Sequence, residues 1–260
     1  MKKAKSVGLI GAGSLTDSPL TRFWWLSERL GPVKSASYRV ASRIANMLQA
    51  GHPVKDYAEF ETCDLILVCV HEDTVSQVVS EMVSSGISWE DKAVVLCSTW
   101  LDSGELRELS ARGASVGSIS PIPGFDDERY LVEGDPMAIR QSKSLVEHRE
   151  RRAVAIERPL KPFYLAALTC TSTLLFALLH VAFESLQRAK IPPGNSAAVL
   201  DRQINRTLRS FLKGGRRAYP TPRELPRQLR ALLVANPELA SYLEQSCRLA
   251  SLLMEKRRAV

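Results

Sequence analysis

The 260-residue chain is short of the side chains that most often advertise chemistry: it has four histidines, and aromatic residues make up 7%. Its five cysteines, Cys63, Cys69, Cys97, Cys170 and Cys247, form no CxxC pair and no framework spacing. A disulfide scaffold and a zinc ribbon are thereby excluded, and no metal site is expected. Three of these cysteines lie in apolar runs, where a free thiol packs as a small hydrophobe. The N-terminal MKKAKS leads straight into an apolar strand, without an apolar stretch of signal-peptide length. A reducing cytoplasm is the expected location. Internal repeats and low-complexity tracts are absent too, and 14 glycines and 14 prolines punctuate the chain without dominating it. With 45% hydrophobic and 24% charged residues, the composition is that of a packed globular protein.

Charge is unevenly spread. Residues 1–139 hold 13 Lys and Arg against 19 Asp and Glu, whereas 140–260 hold 22 against 9. The net charge of +7 therefore belongs to the second half. A basic half invites an anionic partner, or it is a set of solvated helix faces.

The first half alternates apolar runs with helical patterns, as in βαβ units around a parallel sheet. Strands are predicted over 7–10, 33–38, 64–70, 93–97, 116–119, 131–133 and 153–156. Helices are predicted over 19–30, 41–49, 103–109 and 136–148, with another that begins at Asp73 as its cap. Glu133-Gly134-Asp135 reads as a turn between strand and helix, with Asp135 capping the helix from Pro136. The second half carries almost no strand signal and reads as four helices, 163–190, 196–213, 222–235 and 237–258. Thr221-Pro222-Arg223-Glu224 has the form of a capping box, and Asn236-Pro237-Glu238 repeats the cap-then-proline pattern. The expected fold is α/β: a Rossmann-type, mostly parallel sheet domain over 1–157, followed by an all-α domain over 158–260. From Pro162 to Phe183 no charged side chain occurs, which is long enough to span a bilayer. Four hydroxyls in the middle of it (Thr169, Thr171, Ser172, Thr173) favour a helix buried within a domain or a dimer over a membrane span.

Gly11-x-Gly13 follows a strand and precedes a helix. The first glycine permits a tight turn, the second lets backbone approach a pyrophosphate, and the helix start supplies N–H donors. Gly11, Gly13, Ser14 and Leu15 are the candidate phosphate-binding residues. Thr16 stands where a third glycine would be, so an empty nucleotide pocket is the competing reading. After the second strand comes Ser37-Tyr38-Arg39, with no carboxylate before Asp56. Arg39 in that place suits a 2′-phosphate, favouring NADP over NAD; the alternative is a solvated loop cation. Val70, His71, Ser98 and Thr99, just beyond two other strands, complete the candidate cofactor set.

These motifs resemble a family. The Gly11-x-Gly13 turn, Arg39 and the 65–70 strand are similar to the reductases that include ketopantoate reductase and pyrroline-5-carboxylate reductase. The closer likeness is to bacterial Rossmann-like proteins with a DUF2520 domain. Cys97-Ser98-Thr99-Trp100, Ser120-Pro121-Ile122, Glu133-Gly134-Asp135 and Tyr164-Leu165-Ala166-Ala167 follow that family's motifs in order. The resemblance implies an NADP-dependent oxidoreductase with a helical domain like the C-terminal one of 6-phosphogluconate dehydrogenase, which pairs subunits into a homodimer. The family's three histidines are replaced here by Cys97, Ser120 and Leu165. Lys161, Tyr164 and Ser120 are the remaining catalytic candidates, as a cation and two hydroxyls near the cleft.

Three functions stay open. The first is an NADP-dependent oxidoreductase acting on a small, anionic substrate. The second is a non-catalytic NADP-binding sensor or structural relative. The third is an interaction protein without a nucleotide. Arg202, Arg206, Arg209 and Lys213 share one helix face, continued by Arg216 and Arg217, but no interleaved aromatics or nucleic-acid module accompany them. Nucleic acid and membrane are not the expected partners.

Overall fold

The computed structural model describes residues 6–11, 29–123, 129–147, 151–219 and 224–255. The chain divides into two compact units, Met1–Ser172 and Thr173–Val260. The division falls beyond the 157/158 boundary expected from sequence, because the segment that carries Lys161 packs with the first unit.

The first unit is built on an eight-stranded sheet of order β3-β2-β1-β4-β5-β6-β7-β8. Its strands are β1 (Val7–Gly11), β2 (Leu30–Lys34), β3 (His52–Pro53), β4 (Leu65–Cys69), β5 (Ala93–Cys97), β6 (Ser115–Ile122), β7 (Arg129–Gly134) and β8 (Arg152–Ala155). All neighbours pair in parallel except β6 and β7, which are antiparallel. The central strands are apolar at every position because helices cover both faces. On one face, Leu9, Leu67 and Val95 pack against Ile44 and Ala41 of α1 (Tyr38–Leu48) and Leu145 of α4 (Pro136–Val146). On the other, Ile66, Val68 and Val94 meet Phe60, then Val79 and Met82 of α2 (Val75–Val83), then Leu109 of α3 (Arg107–Ser110).

Two predicted boundaries move for a local reason. The second strand ends at Lys34, because the Ser37 hydroxyl accepts from the Val40 amide and starts α1. Arg39 therefore lies on the first turn of a helix. Asp73 is not the cap after β4: His71 Nδ1 accepts from the Asp73 amide and closes a short 3-10 turn, Glu72–Thr74. β3, two residues of an edge strand, carries no periodicity to be seen in sequence. The predicted helix over 19–30 lies mostly outside the described residues.

The second unit is helical, containing α6 (Leu175–Arg188), α7 (Pro193–Gly214), α8 (Leu225–Ala235) and α9 (Pro237–Glu255). The Asn236 cap is observed, its Oδ1 accepting from the Leu239 amide at 3.0 Å. Of the capping box at 221–224, Thr221, Pro222 and Arg223 lie outside the described residues. Before α6, α5 (Lys161–Thr169) runs into a π-helical turn, Cys170–Leu174. There Thr171 and Ser172 donate to the carbonyls of Ala167 and Leu168, four residues back. Such back-bonding competes with the regular helix ladder. The stretch Arg158–Arg188 is long and apolar enough to cross a membrane by length and composition, an 18-residue window in it having a mean hydropathy of 1.9. None of that apolar window is buried within the chain.

Gly134, between β7 and α4, has φ of +127°, and a Cβ there would collide with the Val116 carbonyl and Gly117 Cα. The Glu133-Gly134-Asp135 motif thus needs its glycine twice, for backbone conformation and for close approach to β6. Gly134→Ala is expected to destabilise the protein by about 2–4 kcal/mol, read as a lowered urea midpoint.

Candidate functional site

The carboxyl ends of β1, β4 and β5 lie side by side, with Gly11 in register with Cys69 and Cys97 in register with Ile119 of β6. In open α/β sheets ligands bind beyond these ends, where the strand order reverses. Here the reversal is between β1 and β4. Gly11, Val70, His71, Ser98 and Thr99 therefore share one edge. Gly13, Ser14 and Leu15 lie outside the described residues.

Beside them, the junction of β2 and α1 gathers Ser35, Ser37 and Arg39. Ser35 is buried, and its Oγ has no partner among the described residues. Arg39 is exposed at the helix start and makes no ion pair among those residues. A helix N-terminus, with a guanidinium and a hydroxyl that have no partner among the described residues, suits a phosphate group, and the sequence from β2 holds no carboxylate before Asp56. Ser35 was not among the residues singled out from sequence. A serine one place past a strand carries no signal until burial shows its hydroxyl to be orphaned.

The loop after β5 is tied down. Ser98 Oγ donates to Glu72 Oε1 at 2.9 Å and accepts from the amides of Trp100 and Leu101. His71, mostly exposed, caps its turn through Nδ1 and lies 3.3 Å from Asp73 Oδ2. Ser98 and His71 thus shape the edge, and both side chains already have partners.

Lys161 is 1% exposed, and its ammonium donates to the Leu101 carbonyl at 2.5 Å, Ser118 Oγ at 2.6 Å and the Ser98 carbonyl at 3.3 Å. All three of its N–H donors are engaged. Ser118 in turn donates to Glu133 Oε1 at 2.5 Å. Glu133, equally buried, also accepts from the Ser103 amide at 2.8 Å and the Ser103 hydroxyl at 2.7 Å. Arg158 Nε lies 3.9 Å from Glu133 Oε2, while its Nη2 pairs with Asp135 Oδ1 at 3.1 Å. Asp135 occupies the start of α4 but does not cap it: its other oxygen accepts from the Val116 amide of β6 at 2.8 Å. Burial pushes the Lys161 pKa down, and the negative charges of Glu133 and Asp102 and the neighbouring Cys97 oppose that shift.

Two hydroxyls are left over. Ser120 Oγ, on the same face of β6 as Ser118, and Tyr164 Oη, one turn beyond Lys161 on α5, are buried with no hydrogen-bond partner among the described residues. Desolvation raises the Tyr164 pKa, so it stays protonated well past neutrality. Ser118, Ser103 and Arg158 were missed in the sequence. The one available hint was Ser118 and Ser120 alternating within an otherwise apolar strand.

In the second unit, the basic face of α7 is solvated, and Arg206 and Arg216 line a cavity of about 400 Å³ with Thr207, Phe211 and Tyr219. Among the described residues no cluster of three or more His, Cys, Asp or Glu side chains could hold a metal.

Lys161→Met should leave Glu133 a buried charge with only the distant Arg158 for compensation, costing about 3–5 kcal/mol. Adding Glu133→Gln should recover a large part of it in a urea double-mutant cycle. Because the folded lysine releases its proton more readily, stability should rise with pH between its lowered pKa and the ordinary 10.5. The Lys161→Met variant should lose that rise.

No curated protein matches the sequence. Solved structures do match over nearly the whole chain. Protein TM1727 from Thermotoga maritima is 17% identical with a TM-score of 0.66, covering 97% of this chain and 99% of its own. An imine reductase from Aspergillus terreus, in complex with NADPH4 and dibenz[c,e]azepine, is 13% identical with a TM-score of 0.71, covering 99% and 96%. An imine reductase from Myxococcus stipitatus, in complex with NADP+, is 14% identical with a TM-score of 0.66, covering 95% and 94%. The chain has the fold of these proteins, and its residues 129–222 match the family model described as Domain of unknown function (DUF2520).

Proposed function

We propose that the protein is an NADP(H)-dependent oxidoreductase acting on a small, anionic carbonyl or imine compound. The observation that carries this reading is the β2–α1 junction: the Ser37 cap and, without a partner among the described residues, the buried Ser35 hydroxyl and Arg39, in a sequence with no carboxylate from β2 to Asp56. Structural neighbours that hold NADPH4 or NADP+ support it. In this reading Arg39 and Ser35 receive the 2′-phosphate, and Gly11 begins the turn beneath the pyrophosphate. Bound NADPH supplies the hydride, which needs only correct placement.

The protein side of the chemistry falls to the two unpartnered hydroxyls. Tyr164 holds a proton at Oη that it can give to a developing oxyanion or amide nitrogen, and Ser120 orients the polar end of the substrate. Lys161, with every donor engaged, positions the Ser98–Leu101 segment. The anionic character of the substrate is inferred from the basic second half of the sequence.

One observation favours a second reading, a non-catalytic NADP-binding relative: the buried cation and the Ser98 hydroxyl are both tied into structural bonds. NADPH oxidation with any member of a panel of keto acids, aldehydes and imines would eliminate it.

We also propose a homodimer formed through the helical unit. Among its described residues Ala240 is the one buried apolar side chain, while Phe176, Leu212, Leu233, Val234, Leu249 and Leu253 are exposed. A helical layer without a core of its own requires a partner.

Arg39→Ala is expected to weaken NADPH binding by roughly 10- to 100-fold and leave NADH binding unchanged, by calorimetry. Equal affinity of the unaltered protein for both coenzymes would overturn the NADP assignment. With a substrate in hand, Tyr164→Phe should lower kcat by about 10²-fold with coenzyme affinity retained. It should also abolish the fall in rate that sets in only above the ordinary tyrosine range. Light scattering at micromolar concentration should give twice the 28.8 kDa chain mass; a monomer would remove the dimer.

A further inference from the structure

The proposed chemistry uses no cysteine, yet two of them meet at the edge of the sheet. β4 and β5 pair in parallel with Val68 opposite Leu96, so the next positions, Cys69 and Cys97, are also opposite one another. Neighbouring strands are about 4.8 Å apart, within the span of roughly 4.4–6.8 Å that a disulfide bridges between Cα atoms. Register partners point to the same face of a sheet, and both thiols lie in the cluster that faces α1 and α4. Both sit at strand ends, 8% and 7% exposed, with Cys69 in register with Gly11.

We propose that Cys69 and Cys97 are a site of reversible oxidation, forming a disulfide across the β4–β5 ends when a small hydroperoxide enters the cleft. The Lys161 ammonium donates to the carbonyl of Ser98, the residue after Cys97, and a cation beside a thiol favours its thiolate, whereas burial pushes the Cys69 thiol up. Cys97 is therefore the attacking sulfur and Cys69 the resolving one. The Cys97 thiolate takes a peroxide oxygen, the O–O bond breaks, and hydroxide (or alkoxide) leaves as Cys97 becomes a sulfenic acid. The Cys69 sulfur then attacks the Cys97 sulfur and the S–O bond breaks. Hydroxide leaves and takes up the Cys69 proton as water. Two thiols are oxidised by two electrons and one peroxide is reduced. A dithiol reductant reverses the change by exchange. A pair of this kind fits a reducing compartment, where protein disulfides are mostly transient and sensing. Cys63 is buried against Ser6, without a second thiol beside it, and serves as an internal control.

The test uses the full chain with Cys170→Ser and Cys247→Ser, which removes the two more accessible thiols. After treatment with a few equivalents of hydrogen peroxide, alkylation and peptide mass mapping should find a linked Cys69–Cys97 peptide, two hydrogens lighter, with Cys63 still free. Dithiothreitol should restore both thiols. With Cys69→Ser added, dimedone should trap a sulfenic acid on Cys97 and no link should form. Circular dichroism identifies any variant that has failed to fold, and Cys69→Ala replaces it in that case. Free thiols at all three cysteines, a link involving Cys63, or over-oxidation of Cys97 without a link would each overturn the proposal.

Discussion

A buried pair of opposite charges, Glu133 and Lys161, joined through the Ser118 hydroxyl, holds the carboxyl edge of the sheet in shape. Neither ion reaches water, so each is tolerable only because the other is present and because every remaining donor and acceptor is matched. The pair links β6, β7 and the start of α5, and through Lys161 it also holds the two carbonyls that flank the loop after β5. The surroundings of Ser120 and Tyr164 follow from this arrangement. Lys161, which the sequence offers as a catalytic cation, has all its donors committed to holding that loop and Ser118.

Much of the first unit was legible in advance because burial on both faces of a parallel sheet leaves continuous apolar runs, such as Leu65–Cys69 and Ala93–Cys97. Helix starts were harder to place. His71 and Ser37 each cap through a local hydrogen bond that competes with neighbouring candidates, and only the backbone decides between them. The Glu133-Gly134-Asp135 motif shows the same limit. Its position in the chain was visible, but its three roles depend on strands far away: three hydrogen bonds accepted from Ser103 and Ser118, a close approach to Gly117, and a contact with Val116. Local pattern contains none of those distances. For the same reason the sequence indicated Ser120 and Tyr164 only as available hydroxyls, and burial without a partner is what distinguishes them from others.

The uneven charge of the chain follows its architecture in part. The acidic stretch 1–139 includes seven of the eight strands, while the basic remainder includes β8, the buried Lys161 and the helical unit, whose described cations are exposed. The uncharged stretch in the middle is not buried within the single chain, so of the two expected enclosures, a domain or a dimer, its own domain does not supply one. Hydroxyls bonded back to its own carbonyls soften it at the π turn.

The bond from Ser98 to Glu72 joins the segment after β5 to the segment after β4. Loops at an open sheet edge ordinarily move separately and settle only when a ligand arrives, at a cost in affinity. Here the two are laced to each other, and one is fastened to the buried charges beneath it. This edge of the sheet is shaped before anything reaches it, so a ligand bound there would be selected by fit to a standing form.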